Sequence, residues 1–309
     1  MAGQIVVFGT GGTIAGTAAQ ASDHVGYRAA ELGIAHLLAG IPQLAGVPIT
    51  SEQVAQVDSK DMAFGVWRGL AVRCAGALAR EDVAGIVVTH GTDTLEETAW
   101  FLQRVLAPRK PVVLASAMRP ATAVSADGPQ NLIDAFTVAR SPGARGVVAI
   151  CAGRVHGAAD VRKMHPYRLD AFSSGDAGPV ALVEAGQVRG LRPWPQGEAD
   201  PALLARVAAA GEWPWVEVVA SGAGVDGRAV KALVAAGVRG LVVSATGNGT
   251  IHSELQAALV LAQSAGVRVV RSTRCVVGSI VQGGEPSFPA STHPPAKARI
   301  DLLLDLVAG

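Results

Sequence analysis

The sequence predicts an α/β protein: a parallel, doubly wound sheet in a large N-terminal domain, followed by a smaller α/β domain. Three observations carry that prediction. Short apolar runs alternate with helical patterns along most of the chain. The runs are apolar throughout rather than at every second position, as expected for strands buried on both faces. A proline- and tryptophan-rich stretch interrupts the rhythm once, and the rhythm restarts beyond it.

The elements follow in order. "IVVF" (5–8) reads as a strand and runs into the glycine-rich "GTGGTIAG" (9–16). "VAGIVVTHG" (83–91) precedes the helical "TLEETAWFLQRVL" (94–106), and "KPVVLASAMRP" (110–120) precedes "DGPQNLIDAFTVAR" (127–140). "RGVVAICAGRV" (145–155) is the next strand run. Residues 189–215 hold four prolines and three of the five tryptophans, and read as a connector with its own short helix. Beyond it come "WVEVVASG", "GRAVKALVAAG", "VRGLVVSATGNG", "SELQAALVLAQSAG" and "VRVVRSTRC", then the helical "AKARIDLLLDLVAG". The expected division is an N-terminal domain over 1–190, a linker over 191–213 and a C-terminal domain over 214–309. Thr94 with Glu97, and Ser253 with Gln256, have capping-box spacing. They place "THGTD" (89–93) and "ATGNG" (245–249) in strand-to-helix turns. In open parallel sheets such turns line the ligand crevice.

Composition excludes several classes. The 309 residues are 50% hydrophobic and 17% charged, with a net charge of +1, which fits a globular chain and offers no basic surface for nucleic acid. Aromatics at 4% give few base-stacking platforms. Three scattered cysteines (Cys74, Cys151, Cys275) form no CxxC pair, so buried free thiols are expected. No apolar run is long enough for a membrane span, and "MAGQIVVFGT" has no basic n-region, so a cytoplasmic setting is expected. Seven histidines include no HExxH or HxH pair, so neither a metal nor another cofactor is expected. His90, inside "THGTD", is read as orienting its turn. No GxSxG elbow points to a Ser-His-Asp hydrolase.

The opening turn fits no phosphate loop. Gly11 and Gly16 have P-loop spacing, but Thr17 stands where the lysine should be. Gly9 and Gly11 begin a dinucleotide fingerprint, but Ile14 ends it. Hydroxyl chemistry fits better. A threonine nucleophile needs a proton acceptor and donors for the developing oxyanion. Gly11 and Gly12 are expected to leave N–H groups free beside Thr13, and a second turn offers Thr92 with Asp93. Residue chemistry alone leaves both threonines open as the first nucleophile.

Two long motifs, "TGGTIAG" (10–16) and "THGTDTLEETAWFL" (89–102), resemble the bacterial asparaginase/glutaminase amidohydrolases, the two-threonine family. "SAMRPATAVSADGPQNLIDA" (116–135), "ATGNGTIH" (245–252) and "VVRSTR" (269–274) extend the resemblance over almost the whole chain. It implies hydrolysis of L-asparagine to L-aspartate and ammonia through an acyl-enzyme, with room for a minor glutaminase activity. Thr13 matches the attacking threonine, and Tyr27 matches a loop tyrosine that bonds its hydroxyl, with Gly16 and Gly26 bracketing a lid. Thr92, Asp93 and Lys163 match a second hydroxyl–acid–base cluster. Gly12, Ser59, Gly91, Thr92 and Asp93 match substrate-holding positions, and the Ala117 carbonyl matches the acceptor for the leaving amide. Asn248 and Glu285 match residues that a neighbouring subunit supplies, which implies a homodimer or homotetramer with its sites at the subunit interface. One residue departs: Lys60 in "VDSKDM" stands where many relatives have Gln or Glu that helps hold the substrate's ammonium. A second cation there is expected to weaken ammonium binding, for glutamine in particular. The alternatives are a related primary-amide or D-amino-acid amidase, an amidotransferase subunit, and a non-catalytic amino-acid-binding protein.

Overall fold

The computed structural model describes residues 3–281, 283 and 288–309. The chain divides into two compact units, Met1–Leu204 and Ala205–Gly309. The expected boundaries at 190 and 214 bracket this division.

The first unit is built on strands β1 (Gln4–Gly11), β2 (Ile49–Val57), β3 (Val83–Thr89), β4 (Pro111–Ala115), β5 (Gly146–Cys151) and β6 (Arg154–Gly157). The short β7 (Arg162–Lys163) and β8 (Phe172–Ser173) form a separate ribbon. β9 (Ala181–Glu184) and β10 (Gln187–Gly190) close the large sheet, whose order is β10-β9-β6-β5-β4-β3-β1-β2. Its helices are α1 (Ile34–Ala39), α2 (Phe64–Leu78), α3 (Leu95–Leu106) and α4 (Gly128–Ala139). Ile5, Val7, Val87, Val113, Val148 and Ile150 join Leu132 and Phe136 of α4 in one buried cluster. Val6, Phe8, Ile86, Val88, Val112 and Leu114 are buried as well. Both faces of the central strands are therefore covered, which is why their sequences do not alternate.

Strands β2-β1-β3-β4-β5 are parallel, as the β-then-α rhythm predicts. The far edge is not. β5–β6, β6–β9 and β9–β10 pair antiparallel. Two of these reversals, β5–β6 and β9–β10, are made by tight Ala-Gly turns. Ala152 and Gly153 have φ of 48° and 73°, and Ala185 and Gly186 have 49° and 74°. Two successive left-handed residues make the turn whose twist suits a hairpin, so the chain reverses instead of crossing over. The connector's Pro195 packs on the start of β5, where a Cβ on Gly146 would lie 2.7 Å away.

The second unit has a three-stranded parallel sheet, β11 (Val216–Ala220), β12 (Gly240–Ala245) and β13 (Arg268–Thr273), in that order. α5 (Pro201–Ala209) carries the boundary between the units, and α6 (Arg228–Ala235), α7 (Ser253–Ser264) and α8 (Pro295–Ala308) complete the helices. α8 approaches β12 at Gly240, where a Cβ would meet Leu302 at 2.8 Å.

Two capping expectations change. Thr94 stands at the N-cap of α3, but its hydroxyl donates to the Ser59 carbonyl at 2.8 Å. Ser253 is the first residue of α7, and the cap is His252, whose Nδ1 accepts from Glu254 N. The cysteines also differ from expectation: Cys74 and Cys151 are buried free thiols, but Cys275 is exposed.

Candidate active site

The chain leaves β1 to one side for β2 and to the other for β3, β4 and β5. The order 2-1-3-4-5 reverses direction between β1 and β3, and ligands in such sheets bind at that switch point, beyond the strands' carboxyl ends. Both threonine motifs lie there.

Backbone contact between the two motifs explains their glycines. Gly12 has φ of +83°, a region that favours glycine, and a Cβ on it would lie 2.3 Å from Gly91. A Cβ on Gly91 would in turn meet Ser59 Oγ at 2.5 Å. Thr10 Oγ1 donates to the Thr89 carbonyl at 2.7 Å, a second tie between the same strand ends. Gly12 does not supply the free N–H expected of it. Its N–H donates to the Val57 carbonyl at 3.0 Å, because the β1–β2 ladder continues to this point. Among the described residues, no acceptor takes the N–H groups of Thr13 or Thr92. Unpaired N–H groups on residues this buried call for a ligand or water.

Thr13 begins a short 3-10 turn and is 6% exposed. Its hydroxyl lies 2.7 Å from Tyr27 Oη. The loop carrying Tyr27 folds back through a two-way backbone pair: Thr17 N donates to Arg28 O at 2.9 Å, and Arg28 N to Thr17 O at 2.8 Å. Gly16 leaves room for this, since a Cβ there would lie 3.0 Å from the Tyr27 ring. Glu31 and Leu32 also donate their N–H groups to the Ala15 carbonyl, so the loop is tied on both sides of the tyrosine.

Thr92 is 5% exposed, and its surroundings are charged. Lys163 Nζ donates to Thr92 Oγ1 at 2.7 Å and to Asp93 Oδ1 at 2.6 Å. The lysine side chain is 18% exposed and the aspartate 53%, so the carboxylate still faces solvent. Lys163 reaches the site from β7, where its backbone N–H donates to Glu96 Oε2 on α3 at 2.9 Å. Glu96 was not singled out from sequence. It lies in a stretch whose spacing reads as helix capping, and its partner is 67 residues away.

Ser59 is buried, and its Oγ accepts the Asp93 N–H at 3.1 Å. Lys60 is 61% exposed, pairs with Asp61 and lies 3.9 Å from Asp58. The bond to Asp61 raises its pKa above the ordinary lysine value, and the nearby charges of Asp61, Asp58 and Asp93 act in the same direction. His90 is fully buried. Its Nδ1 lies 2.7 Å from the Gly91 carbonyl, and its Nε2 lies 2.8 Å from Thr98 Oγ1, which accepts from Trp67 Nε1 at 2.8 Å. The carbonyl can only accept and the indole can only donate, so His90 carries its proton on Nδ1 and Thr98 donates to Nε2. Burial pushes the His90 pKa down to about 4. The imidazole is thus neutral and fully bonded, a brace for the turn as expected.

Ala117 follows β4 in a buried turn. Asn248, in the second unit, is exposed. Its amide donates to the Val281 carbonyl at 2.9 Å and accepts the Val281 N–H at 2.7 Å, a two-way bond to that residue's backbone. Glu285 itself lies outside the described residues. Among the described residues, no cluster of His, Cys, Asp or Glu could hold a metal ion, and no helix is long and apolar enough to cross a membrane.

Two buried hydroxyls at neighbouring strand ends, one beside a phenol and the other beside an ammonium–carboxylate pair, define an α/β protein equipped for hydroxyl chemistry on a small polar molecule. Comparison with known proteins narrows this. The sequence model of the family described as "Asparaginase, N-terminal" matches residues 4–196, and "Glutaminase/Asparaginase C-terminal domain" matches 215–309. A glutaminase-asparaginase of Pseudomonas fluorescens biotype A is 38% identical over 90% of this chain and 77% of its own length. L-asparaginase 2 of Escherichia coli K12 is 36% identical over 98% of this chain and 88% of its own. The crystal structure of a probable cytoplasmic L-asparaginase from Campylobacter jejuni superposes with a TM-score of 0.91 at 35% identity, covering 98% of this chain and 95% of that one. The chain belongs to the asparaginase family.

Proposed function

We propose that this protein hydrolyses L-asparagine to L-aspartate and ammonia, with glutamine as a minor substrate. The observation that carries the reading is the Gly12–Gly91 contact. It brings a phenol-bonded threonine and a lysine-bonded threonine to adjacent strand ends. The names of the relatives, L-asparaginase and glutaminase-asparaginase, support the same substrates.

In this reading Thr13 Oγ1 attacks the side-chain carboxamide carbon, and Tyr27 orients the hydroxyl and relays its proton. The unpaired N–H groups of Thr13 and Thr92 suit the developing oxyanion. Ammonia leaves as the acyl-enzyme forms, and the Ala117 carbonyl accepts from the departing amide nitrogen. Water then cleaves the ester, with Thr92, Asp93 and Lys163 supplying the hydroxyl, acid and base. Asp93 faces the substrate's α-ammonium through its exposed oxygen. Ser59, Gly91 and Thr92 hold the α-carboxylate. Gly12 contributes by close packing. Lys60 draws on the same negative field that Asp93 offers the ammonium, and so weakens binding of the amino group. Asn248 and Glu285 serve the site of a second copy, which makes the active form a homodimer or a homotetramer. Three free cysteines, one of them exposed, suit a reducing cytoplasm.

The test is ammonia release from L-Asn, L-Gln, their D-forms and simple amides. L-Asn is expected to be the best substrate, and asparagine binding without turnover would refute the reading. Light scattering on the active fraction checks the assembly; full activity in a monomer would remove the shared site.

A further inference from the structure

The turn that carries the Ala117 carbonyl is held mainly from the start of α4. Asp127 stands at the N-cap of α4, where an aspartate ordinarily accepts from N–H groups of its own first turn. It makes no such bond. Instead Oδ2 accepts from Met118 N and Oδ1 from Arg119 N, each at 2.9 Å. One helical turn on, Asn131 Nδ2 donates to the Ser116 carbonyl at 2.9 Å and lies 3.4 Å from Asp127 Oδ2. Asn131 Oδ1 accepts the Ala152 N–H at 3.1 Å, which ties the same helix end to the β5–β6 hairpin. On the other side, the Ala115 carbonyl takes the His90 N–H at 2.9 Å.

The backbone on either side of Ala117 is therefore fixed: carbonyls 115 and 116 before it, N–H groups 118 and 119 after it. Among the described residues, nothing donates to the Ala117 carbonyl itself. The first threonine turn meets the same helix end. A Cβ on Gly128 would lie 2.9 Å from Ile14 and 3.5 Å from the Ala117 Cβ.

We infer that Asp127 is a positioning residue for the leaving amide: its carboxylate forgoes its own helix to aim the Ala117 carbonyl at the departing nitrogen. The inference rests on the proposed asparagine hydrolysis. A carboxylate suits the task because it offers two acceptors to two adjacent N–H groups. An amide offers one acceptor and turns an NH2 towards the other N–H.

Two leaving groups separate this role from general loss of structure. The asparagine carboxamide has N–H groups to donate to Ala117. The β-methyl ester of L-aspartate has none, yet it passes through the same acyl-enzyme: the ester C–O bond breaks, methanol leaves with the threonine proton, and water releases L-aspartate. Asp127→Asn is expected to lower kcat for asparagine about ten-fold more than kcat for the ester, with KM for asparagine little changed. Equal losses on the two substrates would overturn the role while leaving the hydrolase reading intact. If Asp127→Asn does not accumulate folded, Asn131→Ala removes the Ser116 tie, together with the contacts to Asp127 and Ala152, and leaves both Asp127 bonds to the turn in place. It should lower the amide-to-ester ratio in the same direction, and an unchanged ratio would overturn the role. A wild-type protein inactive on both substrates would overturn the role and the hydrolase reading together.

Discussion

Thr13 and Thr92 occupy matching places, each buried in a turn just beyond a strand in the parallel part of one sheet, but their partners differ in kind. Thr13 meets a neutral phenol 14 residues along the chain, brought back by a loop pinned at Thr17 and Arg28. Thr92 meets an ammonium 71 residues along, delivered by a two-residue strand and shared with a carboxylate. A phenol can relay a proton without placing a charge beside the attacking oxygen. An ammonium–carboxylate pair holds a fixed field that suits a charged substrate and the later entry of water. That contrast is what supports the division of labour proposed above, attack at Thr13 and hydrolysis at Thr92.

The sharpest way to break the contrast is at the oxygens themselves. Thr13→Ala should lower kcat about a thousand-fold or more and leave asparagine binding measurable by calorimetry. If Thr92→Ala abolishes acyl-enzyme formation in a single-turnover mass measurement and Thr13→Ala does not, the two roles are reversed. Lys163→Met should cost about a hundred-fold in kcat, with the acyl-enzyme accumulating because its hydrolysis is the slowed step. Accumulation that fails to appear would move Lys163 to the first step.

The brace behind the second turn makes a prediction in stability. His90 has a pKa of about 4 in the fold against 6.5 when unperturbed. Between those values the unfolded chain takes a proton that the folded chain refuses, so stability falls as pH drops from 6.5 to 4. The contribution is ~3 kcal/mol. His90→Gln should flatten that limb of a denaturation-versus-pH series, and an unchanged slope would assign the acid sensitivity elsewhere. Tyr27→Phe should cost about a hundred-fold in kcat, comparable to Lys163→Met, because it removes the proposed proton relay along with a hydrogen bond. The smallest expected effect is at Lys60. Lys60→Gln should lower KM for asparagine about three-fold, and that for glutamine at least as much, since this exposed cation acts through solvent. Unchanged KM values for both substrates would remove Lys60 from substrate selection.

Much of this was legible before the fold was known. The parallel core follows from β1, β3, β4 and β5 being apolar on both faces. The two glycine-rich turns follow from their position after strands. Other features were hidden by sequence distance or by competing local readings. The hairpins at Ala152-Gly153 and Ala185-Gly186 depend on alanine in a left-handed conformation, for which alanine carries no sequence signal. Thr94 has the spacing of a cap, but a buried carbonyl on a separate segment claims its hydroxyl. Gly12 looked like a free donor, and only the length of the β1–β2 ladder shows that its N–H is taken. Glu96 and Asp127 hold the site through backbone N–H groups, which any residue supplies, so their partners leave no trace in composition.

The sequence by itself determined the layered α/β architecture, the strand-end position of both threonines and the family to which the chain belongs. These depend on hydrophobic periodicity and glycine placement, both of which are local. Only the tertiary structure decided which glycine gives close contact and which N–H groups stay unpaired, and how Lys163 reaches Thr92 and what holds the Ala117 turn. Those outcomes depend on distances between segments far apart in the chain. Chain connectivity alone does not specify such distances until the core is packed.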